Sequence, residues 1–421
     1  MPALYLVQPV FLLLFLLFSQ VAYADNWEAS VVVDESAPRV FLGVDKNTQT
    51  LHLLDGGSQT QVYSVATGQI AGDKMVEGDK KTPEGVYFVG ERIRGELNNE
   101  LYGNIAYSLN FPNPVDRAKG KTGYGIWLHG RGKPLVKMDT RGCVALNTPD
   151  VHQLTPVLQE GVPVVIAEDL SVKKEGDLAS VEGALLEVKV KQWAQSWESR
   201  DDSFFTFYNP ELFSRTEGNS FEGFKNHKSR LFKTLPWIHV MVDNLKVMQG
   251  PDYWVTWFDQ FYRAGGYRST VGKRLYWQKN ADGDWLIIGR EFYPASEDIE
   301  NKYKARCRKD VQKSFNAWLT AWRKADLDSY IDAYTADASQ GARKGRDLIR
   351  MQKDRIWDTK APKKISIDNL SILSHPRGMI VRFTQTYVDE TGYMDKGIKT
   401  LLFEPAGDSW KIVSEEWRKT A

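Results

Sequence analysis

A chain of 421 residues is too long for one ordinary core and implies two or three domains. With 42% hydrophobic and 26% charged residues it has the composition of a folded protein, and its 55 basic residues nearly cancel its 54 acidic ones. A net charge of +1 gives no reason to expect nucleic acid or an anionic membrane as partner.

The apolar run Val10 to Phe18 is followed by Ala22-Tyr23-Ala24 ahead of Asp25. An apolar core shorter than the ~20 residues of a spanning helix, ending in a small-x-small site, predicts a signal peptide over residues 1–24. No Lys or Arg precedes the run, so an uncleaved membrane anchor is the alternative. Both readings place the remainder in an exported, periplasmic setting. The two cysteines, Cys143 and Cys307, lie in unlike surroundings, and no disulfide between them is expected.

Residues 36–168 read as a mainly-β domain. Strands are predicted at Val40 to Val44, Thr50 to Leu54, Gln61 to Thr67, Gly85 to Val89, Tyr124 to His129 and Val162 to Ile166, with a short helix at Val151 to Leu158 opened by Thr148-Pro149-Asp150. Residues 169–184 are charged and Gly-containing and read as a linker.

The rest contains an internal repeat, over residues 185–296 and 305–421. Leu186, Val190, Trp193 and Trp197 share a helical face, and Val311, Phe315, Trp318 and Trp322 repeat it 125 residues later. At the same offset Arg230 matches Arg355, Asp243-Asn244-Leu245 matches Asp368-Asn369-Leu370, and Tyr262 matches Tyr387. Gly272 matches Gly397, Trp285 matches Trp410, and Glu291-Phe292 matches Glu416-Trp417. A constant offset through helices and strands means two copies of one fold. Each copy is predicted to be an amphipathic helix followed by three long strands, an α+β cone, with the matched Arg, Asp and Glu holding the fold. The pattern resembles the nuclear-transport-factor-2-like fold. Trp254, Trp257, Phe258 and Phe261 lie outside the shared positions and are candidates for a binding surface, for a glycan or a protein partner.

The chemistry centres on Trp127-Leu128-His129-Gly130 and Thr140-Arg141-Gly142-Cys143. A thiol attacks as thiolate, and His is its usual base. A Gly-Cys turn into Val144-Ala145-Leu146 can aim backbone N–H groups at a carbonyl oxygen. A lone His and Cys would be weak evidence, but these residues resemble the L,D-transpeptidase (YkuD-type) family, whose pattern is His-Gly, a spacer, then Ser/Thr-x-Gly-Cys. A second hallmark of that family, Thr-Pro-x-Gly before an aromatic strand, stands here as Thr82-Pro83-Glu84-Gly85-Val86-Tyr87, preceded by Thr67-Gly68 and Gly72 to Gly78.

The resemblance, over residues 39–167, implies Cys143 as nucleophile, His129 as general base and Gly130 as the carbonyl that orients the imidazole. It implies Gly142 and Cys143 as oxyanion donors, with Thr140 and Arg141 on the substrate side. Arg141 departs from the commoner His, and three roles stay open for it: lowering the thiol pKa, holding a substrate carboxylate, or facing solvent. The implied reaction is cleavage of the L,D bond of peptidoglycan tetrapeptide stems, with D-alanine leaving and a thioester passing to an amine or to water. The domain plan looks like the cell-shape L,D-carboxypeptidase branch, with a doubled C-terminal domain as the departure. No metal or cofactor is expected, because the six His are scattered and no paired Cys or His-x-x-x-His spacing exists. The rival reading is a non-catalytic peptidoglycan-binding scaffold.

Overall fold

Alternating apolar strands and Gly turns build an eight-stranded sheet in the N-terminal domain. The computed structural model describes residues 26–33, 37–174, 178–295, 298–407 and 409–420, so the signal-peptide reading falls outside the described residues. The sheet runs, edge to edge, through Ser58–Ser64, Thr50–Asp55, Val40–Asp45, Pro163–Ala167, Gly85–Arg92, Ala106–Leu109, Trp127–His129 and Val144–Ala145. Its central strands are buried on both faces: Leu42, Val44, Tyr87, Val164 and Ile166 point into the domain's own core. Phe41, Val86, Phe88 and Val165, on the alternate faces, enter a second core shared with the following domain.

Local chemistry moves several expected boundaries. Strand Trp127–His129 is only three residues long, because Gly120, Gly123 and Gly125 all take positive φ and turn the preceding segment into a loop. The helix begins at the Asn147 N-cap with Pro149 in its first turn and spans Thr148–Leu154. The predicted linker is a strand over part of its length: Asp169–Lys174 pairs in parallel with Glu28–Val33, whose alternation buries Ala29 and Val31.

Both repeats form. Leu186, Val190, Trp193 and Trp197 are buried on helix Leu178–Ser199, and Val311, Phe315, Trp318 and Trp322 on helix Ile299–Arg323. Each copy has four long antiparallel strands rather than three: His239–Gln249, Trp254–Ala264, Tyr267–Lys279 and Trp285–Tyr293 in the first, and Pro362–His375, Gly378–Asp389, Met394–Ala406 and Ser409–Lys419 in the second. The first strand of each copy is irregular. Asp243-Asn244-Leu245 and Asp368-Asn369-Leu370 are β-bulges that break its alternation, with Asn244 and Asn369 both at φ 52. Asn tolerates that left-handed conformation better than other non-glycine residues, which accounts for the repeated triplet.

One repeat match shifts. Gly272 pairs with Asp259 and Tyr293, whereas Gly397 pairs with Gln385 and Lys419, so the equivalent of Gly272 is Ile398. The hairpin before this strand is one residue longer in the second copy and the hairpin after it one shorter, which restores the offset by Trp285 and Trp410. Of the matched charged residues, Arg230, Arg355 and Glu416 are exposed, so they do not hold the core. Glu291 instead bonds Tyr276 (2.9 Å) and, across the domain boundary, Asn110 (2.8 Å). Trp254, Trp257, Phe258 and Phe261 are buried, not a free surface. Trp257 packs edge-on against Phe88 of the N-terminal domain, and Phe261 against Tyr303 of the second copy. Trp257 and Phe261 are thus accounted for by the domain contacts they make, whereas Trp254 and Phe258 belong to the first copy's own core, where Phe258 has Phe383 as its equivalent in the second. Among the described residues no helix is long and apolar enough to cross a membrane.

Candidate active site

His129 ends its strand and pairs in parallel register with Ala145, so Cys143 lies two residues before the position level with His129 on the neighbouring edge strand. The register therefore sets Cys143 level with Trp127, two residues back from His129, so that the histidine and the thiol belong to one pair of adjacent strands. His129 is buried, and its Nδ1 lies 2.6 Å from the Gly130 carbonyl oxygen. A carbonyl only accepts, so Nδ1 carries the proton and the neutral ring keeps its lone pair on Nε2. Tyr102 sets its ring edge-on against the imidazole at 5.1 Å, and Trp127 packs on Tyr102. Burial, opposed by the Gly130 bond and reinforced by Arg131, pulls His129 down to about 4.

The turn carrying the thiol is tied by Thr140. Its Oγ1 donates to the Cys143 carbonyl (2.8 Å) and accepts from the Gly142 N–H (3.1 Å). Gly142 sits at φ +125, and a Cβ there would come within 2.7 Å of the Lys81 carbonyl oxygen. This close approach places the Gly-Cys turn against the residues that open Thr82-Pro83-Glu84-Gly85. Thr82 in turn accepts from Gly68 N–H (2.8 Å), and Glu84 pairs with buried Lys46 (2.6 Å). The two sequence motifs are thus one brace behind the thiol.

Cys143 is half-buried, with Sγ 3.4 Å from the Gly125 carbonyl oxygen. Close packing around the sulfur pushes the thiol up to about 11 despite its partial exposure, and Lys74 is the cation that opposes this. Lys74 is buried and paired with Asp79 at 2.8 Å. At rest the site holds a neutral thiol and a neutral imidazole, not a preformed ion pair.

Arg141 is exposed beside this turn. Cys307 is a second free thiol, buried between the two copies and remote in sequence and environment from this cleft. Lys74, Tyr102, Gly125 and Arg131 were not foreseen. Arg131 is buried and clasps Asp139 through both its carboxylate and its carbonyl, closing the loop between His129 and Cys143. The sequence signal for Lys74 was its place between Gly72 and Gly78; for the others there was none beyond proximity to the motifs. Among the described residues no group of three metal-ligating side chains converges.

A family model described as the L,D-transpeptidase catalytic domain (YkuD) matches residues 39–166. A second, the Cds6 C-terminal NTF2-like domain, matches twice, at residues 185–291 and 310–416. Among solved structures, Bd1075 of Bdellovibrio bacteriovorus is similar at 27% identity and a TM-score of 0.50, covering 63% of this chain and 95% of that one. The helical cell shape determining protein Pgp2 of Campylobacter jejuni is similar at 25% identity and a TM-score of 0.50, covering 60% of this chain and 91% of its own. No curated protein matches the chain.

Proposed function

The chain belongs to the YkuD L,D-transpeptidase family, extended by two Cds6 C-terminal NTF2-like domains, and from that premise we propose that Cys143 cleaves the L,D bond of peptidoglycan tetrapeptide stems through a thioester. The observation that carries this reading is the Nδ1–Gly130 bond, which leaves His129 Nε2 as a free base on the strand that pairs with the one the Gly-Cys turn leads into. As the substrate carbonyl enters, the imidazole takes the Sγ proton and sulfur attacks the carbonyl of the third stem residue. The Cys143 N–H receives the developing oxyanion; Gly142 N–H joins it by exchanging its bond to Thr140 Oγ1 for one to substrate. Collapse expels D-alanine, whose amine takes the proton held on His129. Water or a second stem's amine, deprotonated by the same imidazole, then releases the acyl group. The exposed Arg141 is available to a stem carboxylate at the cleft edge.

The family acts on peptidoglycan stem peptides in general; water as acceptor, giving a carboxypeptidase that trims tetrapeptide to tripeptide, is the reading favoured by similarity to a cell-shape protein. Periplasmic action is supported by the Val10 to Phe18 run and Ala22-Tyr23-Ala24. The test is product analysis of disaccharide-tetrapeptide incubated with the chain and with Cys143→Ala. Tripeptide formed only by the unsubstituted protein is expected. Dimers joined between third residues identify the amine as acceptor, and no product with either protein moves the assignment to a scaffold.

A further inference from the structure

The joint between the two C-terminal copies holds a groove of about 410 Å³ that is walled by both of them, so neither copy has it alone. The first copy contributes Phe261, Arg263 and the hairpin tip from Gly265 to Arg268. The second contributes Glu300, Tyr303 and Lys304 of helix Ile299–Arg323, together with His375. Small-ligand sites favour domain boundaries, and this volume lies in their range.

The charge of the groove is one-sided. Arg263, Arg268 and Lys304 supply three cations, and Glu300 is the one carboxylate among the described residues that line it, which leaves two positive charges in excess. Arg268 (2.9 Å) and Lys304 (2.8 Å) both lean on a single Glu300 oxygen, Oε1. The Lys304 bond, with the charges of Arg268 and Arg263 behind it, holds Glu300 below the usual carboxylate range. Arg263 is buried and forms no ion pair among the described residues; its Nη2 donates to the His375 and Gly378 carbonyls.

The strand register makes this arrangement peculiar to the joint. Arg263 stands directly opposite Arg268 on the adjacent strand, where the second copy has Val388 opposite Met394. Like charges so placed repel and weaken a sheet. The arginine pair occurs in the hairpin that meets the other copy and not in its counterpart, so the fold itself does not require it. The remaining wall suits an organic body. Phe261 and Tyr303 pack at 4.5 Å between ring centroids, and the Tyr303 hydroxyl lies 2.9 Å from His239 Nδ1. His375 accepts from Arg377 N–H at Nδ1 (3.2 Å), so its neutral ring carries a proton to donate on Nε2.

We propose that this groove binds a small organic dianion, a phosphate or a dicarboxylate on a flat apolar body, which displaces Glu300 from Arg268 and Lys304 and ties the first copy to the second. The guanidinium fork takes the oxyanion, and the Phe261 and Tyr303 rings take the apolar body. The proposal is independent of the chemistry at Cys143.

The experiment is isothermal titration of the full chain carrying Cys143→Ala with phenyl phosphate, isophthalate and uncharged benzyl alcohol. At least one dianion is expected to bind at one site per chain, about tenfold or more tighter than benzyl alcohol; the better of the two identifies the head group. Arg268 is exposed and Lys304 half-buried, so both can be changed with the fold kept. Arg268→Gln and Lys304→Gln should each weaken binding about threefold, the worth of one charge at a groove rim. Glu300→Gln should tighten binding by about the same factor, because the cations lose their internal competitor. Residues that serve only to hold the copies together would give no such gain. Lys228→Met, in the separate cavity within the first copy, should leave the affinity unchanged. Equal binding of benzyl alcohol, binding undiminished by both Arg268→Gln and Lys304→Gln, no tightening with Glu300→Gln, loss of binding with Lys228→Met, or no binding of either dianion overturns the proposal.

Discussion

At the scale of single residues, the reactivity of Cys143 is governed by packing rather than by an ion pair. With the thiol near 11 and the imidazole near 4, the thiolate is a minor species at neutral pH. Alkylation by iodoacetamide should therefore be slow at pH 7 and rise about tenfold per pH unit through pH 10. A plateau already at pH 7 would mean a preformed thiolate–imidazolium pair. The base need only be neutral, so kcat/KM should hold from neutral pH down past 6 and fall only as pH approaches 4. The same burial enters stability. A histidine depressed in the folded state is protonated more readily in the unfolded chain, so its contribution is complete above about 6.5 and lost as pH falls to about 4. His129 and His239 both behave so, each worth roughly 3 kcal/mol over that window. Urea titrations at pH 7 and 4.5 should show the loss, and His129→Asn should reduce it. Gly142→Ala tests the turn: its Cβ meets the Lys81 carbonyl at 2.7 Å and its φ suits only glycine, so activity should drop by at least a hundredfold with the fold retained. His129-Gly130, Thr140 to Cys143 and Thr82 to Gly85 were legible as candidates because each is a run of adjacent residues that matches one motif. Lys74, Tyr102 and Arg131 were not, because they reach the site through strand pairing and loop closure that no local pattern records.

At the scale of elements, the repeat was legible through its largest side chains. Tryptophans four apart on a helix must face one core, and two such helices at a constant offset require two cores. The strands were harder. The bulges at Asn244 and Asn369 interrupt alternation just where a pattern search needs it, and the compensating hairpin lengths shift Gly272 against Gly397 without changing the overall offset. The bulge makes a sharp test. Asn369 is exposed at φ 52, so Asn369→Gly should be nearly neutral, while Asn369→Val should cost about 1–2 kcal/mol. Equal midpoints for the two variants in urea would remove the conformational account of the repeated Asp-Asn-Leu.

At the scale of the molecule, the catalytic sheet does not end at its own domain. Phe41, Val86, Phe88 and Val165 share a core with Tyr253, Trp257, Tyr276 and Ile288 of the first copy. The Tyr253 hydroxyl accepts from Val86 N–H at 2.8 Å, and it fits there only because Gly85 lacks a Cβ. Arg274 lies over the Phe88 ring at 3.9 Å, and Asn110 accepts from Phe88 N–H while donating to Glu291. The Thr-Pro-x-Gly motif thus reaches the brace behind the thiol through Thr82 and Glu84 and the domain joint through Gly85. The catalytic domain and the first copy should consequently unfold as one unit. The second copy is held to the first by Phe261 against Tyr303 and by Arg263 donating to the His375 and Gly378 carbonyls, and Phe261 enters a buried core that is otherwise the second copy's own. A chain cut after residue 295 should therefore stay folded and cleave tetrapeptide at close to the full rate. One cut after residue 174, which strips Trp257 and Tyr253 from Phe88 and Val86, should aggregate. Phe88→Ala in the full chain should lower the first calorimetric transition by about 3–5 kcal/mol and leave the transition of the second copy in place. Loss of both transitions together would mean that the three domains fold as a single cooperative block, and that the second copy stabilises the catalytic sheet through the first.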